Sequence, residues 1–425
     1  MYWFILFFPF LIFPWGADPY YTAPKVFYLV FFVFVMWTIL LIIRQKWFMY
    51  QHQYFSKVEI ILTAFIILII LSTIFSVNPE TSIFGSVHRF EGVISLISYC
   101  SLFIFAYRLI NPSLIKKTIK GVVGISIIVS TYGILQHYLI DFLPRNSSKI
   151  GDTRSFAFFD NPNFFGSYLV ITILLSITLF LTAQKNKERY YYLFSTSISF
   201  SAMIFSGTRS AWIGVMFGVI FLTMFVVLMR KFLWKSWAYL LITLIALFCV
   251  IDITEDGGNF KRVFSSFSES YKIATDQGTG HEGSSRFFIW KKSMPLIPKF
   301  FWLGSGPDTF KFVFPIDEEE SLKYFYTSNI TVDKAHNEYL QMAVTLGVPA
   351  LIMYLFLVCY ILYKAIISIK ISNSNNCLIL YGLISVILGY LIQAFFNISV
   401  VPVAPFFWIL LGLTYSLSMN SQNQN

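Results

Sequence analysis

Charged residues are scarce in this chain, at 12% of 425 residues, whereas a soluble domain carries about 25%. So large a deficit excludes an ordinary water-facing surface. Cysteine is also rare, and the four cysteines lie in or beside apolar segments without pairing or metal-binding spacing. The five histidines are scattered, and neither a P-loop nor a dinucleotide fingerprint occurs. The sequence therefore predicts no resident cofactor and no metal site.

Long apolar runs replace the missing charge, and hydrophobic residues make up 57% of the chain. Repeated runs of about 20 residues match the thickness of a bilayer, and lipid offers backbone groups no partner, so each run must be helical. The predicted fold class is all-α: a polytopic membrane protein with about twelve transmembrane helices and one large extracytoplasmic loop that contains short helices. The predicted spans are Met1–Trp15, Pro24–Ile43, Val58–Val77, Gly92–Ala106, Ile119–Ile140, Phe164–Ala183, Tyr191–Phe205, Ala211–Met229, Trp237–Ile251, Glu338–Tyr363, Cys377–Phe396 and Val401–Leu417.

The positive charge is uneven between alternate loops, which indicates orientation in a bilayer rather than binding to nucleic acid. Five short loops of one set hold fifteen Lys and Arg residues, and the short loops of the other set hold six. Because short cytoplasmic loops are enriched in basic residues, the first set is predicted to be cytoplasmic. Both termini are then cytoplasmic, the tail Ser418–Asn425 is expected to be disordered, and the loop Asp252–His336 is extracytoplasmic. The basic residues of the first set are Arg44, Lys46, Lys57, Arg108, Lys116, Lys117, Lys120, Lys185, Lys187, Arg189, Arg230, Lys231, Lys235, Lys364 and Lys370; those of the second are Lys25, Arg89, Arg145, Lys149, Arg154 and Arg209.

The long loop has several distinct parts. Its first part, Thr254–Ser285, is rich in Ser, Gly and charge, which predicts a mobile segment with little chemistry. Arg286–Pro298 reads as an amphipathic helix on the membrane surface. Gly304-Ser-Gly306 favours a plain turn over a phosphate cradle. After the loop, Pro349 is predicted to kink the tenth span because proline removes a backbone donor.

Four arginines, Arg89, Arg154, Arg209 and Arg286, lie at the predicted outer surface, where short loops are usually poor in basic residues. A guanidinium binds phosphate through two parallel hydrogen bonds and stays charged at neutral pH, so a lipid pyrophosphate would explain them. Contact with lipid phosphate or a salt bridge to a nearby acid would explain Arg89 and Arg154 equally well. Arg209 stands apart because it occupies a very tight turn between two spans, Ser206–Ser210.

One histidine, His336, lies where the loop joins the tenth span, in Ala335-His-Asn-Glu338. The N-terminal end of a helix disfavours a charged imidazolium, so the neutral form is expected at pH 7. A neutral imidazole can act as a general base or hydrogen-bond acceptor. An interfacial histidine that caps the helix fits the local sequence as well. His52 and His137 are predicted to be structural.

Several blocks occur in an order that resembles the superfamily of bacterial O-antigen ligases and polymerases, membrane glycosyltransferases of the cell envelope. The likeness is strongest from Ser206 to Leu351. The ligase pattern expects Gly, Thr or Tyr at Ala350 and Leu at Trp290, and these departures put the ligase assignment in doubt more than the superfamily. The blocks are Ser76-Val-Asn-Pro79 with Gly85 and Arg89; Gly133-Ile-Leu-Gln136; Arg154 with Asn161-Pro-Asn163; Ser206-Gly-Thr-Arg-Ser-Ala-Trp212; Arg286–Trp290; Leu303-Gly-Ser-Gly306; and His336-Asn337 leading to Gly347.

The resemblance implies transfer of a glycan from an undecaprenyl pyrophosphate carrier to an acceptor hydroxyl, without nucleotide or metal. The acceptor is a glycan, a lipid core, a wall polymer or a protein. His336 and Arg286 would be catalytic, and Arg209 would bind the pyrophosphate. Arg154 and Arg89 would make secondary contacts, and Asn337 would support His336. The resemblance implies three regions besides the tail 418–425: helices 1–205, a ligase-like region 206–355 that includes the loop 252–336, and helices 356–417.

A second class of function stays open, namely a transporter or flippase of lipid-linked oligosaccharides. Transporters place ionisable residues within their spans near mid-bilayer. The predicted spans contain very few such residues. The charges of the spans cluster at the outer edge of the membrane. This distribution favours an enzyme whose site lies at the membrane surface.

Overall fold

The chain is described by a computed structural model that covers residues 1–13, 21–43, 56–143, 153–262, 265, 268, 280–371 and 374–423. His52, four of the counted loop cations (Arg44, Lys46, Arg145 and Lys149), the end of the first predicted span and much of the segment 254–285 lie outside these residues. Throughout the described ranges, the regular elements are helices.

The helices are numbered here in chain order. Helices up to the long loop are α1 Tyr2–Phe7, α2 Ala23–Ile43, α3 Lys57–Ile74, α4 Pro79–Phe84, α5 Val93–Leu109, α6 Pro112–His137, α7 Pro162–Thr182, α8 Asn186–Ser206, α9 Arg209–Met229 and α10 Trp234–Thr254. Those of the loop and beyond it are α11 Glu282–Ser293, α12 Leu296–Lys299, α13 Phe310–Val313, α14 Glu318–Phe325, α15 Glu338–Thr345, α16 Val348–Ile371, α17 Ser374–Phe395 and α18 Ala404–Asn423. Two 3₁₀ turns, Phe8–Phe10 and Lys231–Leu233, precede α2 and α10.

The predicted fold class, an all-helical multi-pass membrane protein, is confirmed. Eight of the described helices are long and apolar enough to cross a membrane, and α5 and α18 are shorter apolar helices. The predicted span Tyr191–Phe205 lies within α8, which is 21 residues long. Most predicted spans therefore correspond to helices, with changes at the first and tenth.

The centre of the bundle is α7, whose apolar residues are buried on every side. A helix that is hydrophobic all round needs such a position. It packs against α6, α8, α9, α17 and α18. Close packing continues between α9 and α17, where a Cβ at Gly214 would lie 2.7 Å from the carbonyl oxygen of Gly389. Small residues thus allow helices from both halves of the chain to meet around α7.

The first predicted span is wrong in its length, because helix α1 ends at Phe7 and the following 3₁₀ turn ends at Phe10. Pro9 lies in this turn, where its ring is incompatible with a continuing helix. The segment nevertheless runs along α6. The Lys117 ammonium lies 5.3 Å from the ring centroid of Tyr2, and the Phe10 and Phe158 rings are in contact.

The tenth predicted span is two helices, so the prediction of one kinked helix was wrong. The chain breaks between α15 and α16 at Gly347, whose φ of +90° suits glycine. A Cβ at Gly347 would lie 2.7 Å from the Trp302 carbonyl oxygen. Pro349 lies in the first turn of α16, where a missing N–H is tolerated.

The predicted disorder of the tail from Ser418 is also wrong, since α18 continues to Asn423. Ser418 is fully buried, and its carbonyl oxygen accepts a 2.8 Å hydrogen bond from Ser368 of α16. Packing against a neighbouring helix therefore extends α18 beyond its apolar run.

Residues 280–347 form a small apolar core of their own beside one end of the bundle. Phe288 and Ile289 of α11 are buried there with Leu296, Phe310 and Val344. The apolar face of α11 is thus covered by protein, and the prediction that it lies on lipid is wrong for this face. The predicted turn at Gly304–Gly306 is confirmed, and its backbone amides bond to the end of α15: Ser305 N to the Val344 oxygen and Gly306 N to the Thr345 oxygen, both 2.9 Å.

The two ends of the bundle differ in their chemistry. The described basic residues of the more basic loop set lie at one end, as at the α8 start with Lys187 and Arg189. There, Arg108 forms a partly buried, two-pronged ion pair with Glu59. Residues 280–347 and the turn between α8 and α9 lie at the other, which is called the site end below.

Candidate functional site

Four arginines and one histidine surround a cavity of about 580 Å³ at the site end. This arginine cavity lies where α7 and α9 begin, and α11 closes it from the side of the long loop. Among the described lining residues there is no Asp or Glu. Its described lining consists of Arg154, Asn163, Gly207, Arg209, Ser210, Arg262, Arg286, Ile289, Phe325 and His336. So strong a positive charge suits a polyanionic group such as pyrophosphate.

The turn between α8 and α9 presents Arg209 at the cavity wall. Helix α8 ends at Ser206 and is capped by Gly207, which has a φ of +59°, and Arg209 is already the first residue of α9. Thr208 anchors the turn by donating a 2.9 Å hydrogen bond to the Pro162 carbonyl oxygen at the start of α7. A side chain at position 207 would collide with the Arg262 guanidinium. The turn is therefore as tight as the sequence predicted, and glycine leaves room for the arginines.

Arg154 is fixed by an extended segment that crosses the end of α6. Its Nε donates a 3.0 Å hydrogen bond to the Ser206 carbonyl oxygen. Gln136 of α6 holds the following residues, because its Oε1 accepts hydrogen bonds from the amides of Ala157 at 2.6 Å and Phe156 at 3.2 Å. The Gly133–Gln136 block thus positions an arginine of the cavity.

Arg286 projects from α11 into the arginine cavity, and its Nη1 donates to the carbonyl oxygen of Phe396. Burial, reinforced by the charges of Arg209 and Arg154, lowers the pKa of the Arg286 guanidinium to about 10. The group remains charged at neutral pH. Mutual repulsion of this kind is relieved when an anion binds between the cations.

His336 occupies a left-handed backbone position with a φ of +50° immediately before α15. Both backbone groups of the preceding residue are held: Gln341 Oε1 accepts from the Ala335 amide at 2.8 Å, and Trp290 Nε1 donates to its carbonyl oxygen at 2.9 Å. Trp290, the position at which the ligase pattern expects Leu, therefore links the Arg286 helix to the histidine. Asn337, rather than His336, caps α15 by accepting from the Leu340 amide at 3.0 Å.

The imidazole of His336 is neutral at physiological pH, as the sequence predicted, although the main cause differs. Burial lowers the pKa of His336 to about 4, helped by the charge of Arg286 and then of Arg89 and Lys334, against the opposing effect of Asp333. The sequence suggested the helix end instead. Its Nδ1 is buried without a hydrogen-bond partner in the described part of the chain.

Arg89 is not part of the lining of the arginine cavity. Its Nε forms a 2.7 Å ion pair with Asp333, and its guanidinium lies 5.5 Å from the ring centroid of Phe164. Of the interpretations that the sequence left open for Arg89, the structure shows the salt bridge. Because Asp333 is three residues before His336, this pair ties the turn after α4 to the segment that carries the histidine.

Sequence reasoning missed three polar residues of the cavity, Asn163, Ser210 and Arg262. Asn163 belongs to one of the sequence blocks that carry the resemblance. Nothing in the neighbouring sequence indicated that it lines the cavity. Arg262 falls in the segment 254–285, which was predicted to have little chemistry, and its place in the lining argues against that prediction. The position of Arg262, close to the outer end of a predicted span, was the feature of the sequence that could have indicated its role.

The chemistry of this lining suits an anion better than a metal ion. Guanidinium groups donate hydrogen bonds and cannot act as metal ligands at neutral pH. Within the described ranges, no group of three His, Cys, Asp or Glu residues could hold a metal ion.

Residues 194–355 match the sequence model of the O-antigen ligase family. The match confirms the resemblance to the O-antigen ligase and polymerase superfamily in the region that contains Arg209, Arg262, Arg286 and His336. It indicates glycan transfer of the ligase or polymerase type, from a lipid-linked donor to a glycan or lipid acceptor. A search of curated proteins found no match to the chain.

Proposed function

We propose that this protein transfers a glycan from an undecaprenyl pyrophosphate carrier to an acceptor hydroxyl at the outer face of the bacterial cytoplasmic membrane. The observation that carries the proposal is the arginine cavity, where four guanidinium groups and a neutral histidine face a shared space of about 580 Å³. Such a transfer requires groups that stabilise a pyrophosphate leaving group and a base that deprotonates the acceptor hydroxyl.

The arginines act on the donor. When the bond from the sugar to the pyrophosphate breaks, the electron pair stays with the phosphate oxygen and the leaving group gains one negative charge. Arg286 and Arg209, whose charges already influence each other, stabilise this charge more strongly than the ground state. The same cations replace a divalent metal, which makes the proposed reaction metal-independent.

His336 acts on the acceptor hydroxyl. In the free protein burial, helped by the charge of Arg286, holds the pKa of His336 low, so the imidazole starts without a proton. A bound pyrophosphate offsets the charge of Arg286 and raises the basicity of His336. Donor binding thereby prepares the base for the moment when the hydroxyl attacks the sugar. Asn337 supports this arrangement as the cap of α15, and Arg89 supports it through Asp333.

The orientation follows from the basic loops. If the basic end faces the cytoplasm, the arginine cavity lies at the outer face. The N-terminal segment starts beside Lys117 and reaches Phe158 at the site end, which is consistent with an N-terminus on the cytoplasmic side.

Purified protein in detergent tests the proposed reaction against a flippase. We expect a new glycosidic product when lipid-pyrophosphate glycan and acceptor are added without nucleotide, with chelator present. A pure flippase gives no product without a bilayer, because it only moves its substrate between leaflets. Movement of labelled glycan across vesicles without any product in detergent would contradict the enzyme assignment.

Arg262→Gln should weaken donor binding about tenfold, because one charge-assisted hydrogen bond contributes about 1.5 kcal/mol. Binding of a lipid-pyrophosphate glycan to purified protein is the measurement. Lys261→Gln is the matched control, since it removes the same charge from an exposed neighbour that does not line the cavity. Equal affinities of the two variants would exclude direct contact between Arg262 and the pyrophosphate.

A further inference from the structure

Behind His336 lies a second cavity, of about 70 Å³, which is called the polar chamber here. It separates α15 from the helix bundle and is lined in part by Glu91, Asp308, Lys334, Glu338, Gln341 and Tyr354. The proposed transfer reaction gives none of these side chains a role, although such a density of buried polar groups is costly to maintain.

A single stretch of chain borders both the polar chamber and the arginine cavity. His336 lines the arginine cavity, whereas Lys334 and Glu338, two residues before and after it, line the polar chamber. Gln341 forms part of this wall. Its Oε1 holds the Ala335 amide, and its side chain also lines the chamber.

Three polar atoms along this wall are buried without a hydrogen-bond partner among the described residues. They are His336 Nδ1, Glu338 Oε2 and Gln341 Nε2. Buried polar atoms of this kind are normally satisfied by ordered water when protein groups do not reach them. One water needs about 10–15 Å³ of such space, so the polar chamber of about 70 Å³ has room for several waters.

Burial in the polar chamber makes Glu338 a carboxyl that changes protonation near neutral pH. Lys334 and Asp308 form a buried 2.6 Å ion pair. Burial raises the pKa of Glu91 to about 8, so Glu91, which accepts a hydrogen bond from Tyr99, is mostly neutral at pH 7. Burial also raises the pKa of Glu338 to about 7, and the Tyr354 hydroxyl, which donates to Glu338 Oε1 at 3.3 Å, opposes this effect. Tyr390 is a further ionisable group that interacts electrostatically with Glu338.

We propose that the polar chamber is the proton-receiving site of the transfer reaction, in which ordered water carries the proton of the acceptor hydroxyl from His336 to the Glu338 carboxylate. This proposal rests on the proposed function. The acceptor oxygen forms its bond to the sugar as the sugar–pyrophosphate bond breaks with its electron pair on phosphate. The proton moves from the hydroxyl to His336 and then to Glu338, which returns neutral His336 to the arginine cavity.

The pH dependence follows from the form of Glu338 that the relay needs. Only the carboxylate can receive the proton, so kcat/KM falls as the pH drops through the Glu338 pKa of about 7. If His336 alone had to be unprotonated, the fall would come only near its own pKa of about 4. The position of the acid limb therefore separates the two cases.

Glu338→Gln keeps the size and most hydrogen bonds of the side chain but cannot titrate. Transfer by this variant is expected to be at least tenfold slower and nearly independent of pH between about 6 and 7, because position 338 no longer titrates and Glu91 stays mostly neutral there. Binding of the lipid-pyrophosphate donor should be unchanged. Met342→Leu, a change of similar volume in the same lining, is the matched control and should keep the wild-type profile.

Tyr354→Phe supplies an independent test that does not replace a carboxyl. Loss of the hydroxyl removes a hydrogen bond that favours the carboxylate, so the acid limb should move upward by about half a pH unit or more. Wild-type profiles in both Glu338→Gln and Tyr354→Phe would overturn the relay while leaving transfer itself intact. Absence of transfer in the wild-type protein would instead refute the proposed function.

Discussion

His336→Ala is expected to lower glycan transfer by a factor of about 10²–10⁴ while leaving membrane abundance unchanged, since a positioned general base contributes rate enhancements of this size. The imidazole faces the arginine cavity but makes no hydrogen bond through Nδ1 to other described residues, so its removal breaks no described contact of that atom. The measurement is the single-turnover rate with saturating donor and acceptor, beside quantification of the protein in membranes.

The backbone at His336 calls for a second variant. Alanine at a φ of +50° is strained, whereas asparagine tolerates this conformation better. His336→Asn should therefore fold as well as the wild-type protein and still lose transfer. His281→Ala is the matched control, because His281 contacts the rings of Tyr324 and Tyr326 and does not line the arginine cavity. Full activity of His336→Asn would remove the histidine from the reaction.

The bundle was predictable because lipid restricts what an apolar run can do. Every run of about 20 apolar residues had to be a helix, and α7 is the clearest case of such a run. Breaks were harder to predict, because they depend on contacts between distant residues. The chain breaks at Gly347, between α15 and α16, where the Trp302 backbone lies close to it. The sequence from Glu338 to Tyr363 does not reveal that contact.

The candidate site was predictable in its residue types and not in its geometry. Arg209 and His336 were selected from the sequence because a structural role rarely requires a charge in a short outer turn or a histidine at the start of a helix. Hydropathy could not reveal that Arg262 reaches the same cavity, or that Arg89 pairs with Asp333, 244 positions away in the sequence. The polar chamber was hidden for the same reason, since Glu91, Asp308 and Glu338 meet only after folding.

Arg286→Lys is expected to lower the rate of transfer about 10²-fold, although the positive charge is kept. The guanidinium of Arg286 donates to the Phe396 carbonyl oxygen through Nη1 and has further N–H groups for the phosphate. A lysine ammonium is a compact point charge that cannot span both partners in one fixed plane. Loss of one preorganised donor at a developing oxyanion costs about 10²–10³ in rate.

The effect should appear in kcat more than in donor affinity, because the Arg286 contact strengthens as charge develops on the leaving pyrophosphate. Lys291→Arg is the matched control: it exchanges the same two residue types in reverse on an exposed position of α11. Restored transfer in Arg286→Lys by added guanidinium would support loss of the hydrogen-bonding plane as the cause. If Arg286→Lys transfers glycan at the wild-type rate, Arg286 contributes only charge, and stabilisation of the leaving group must come from Arg209, Arg154 and Arg262.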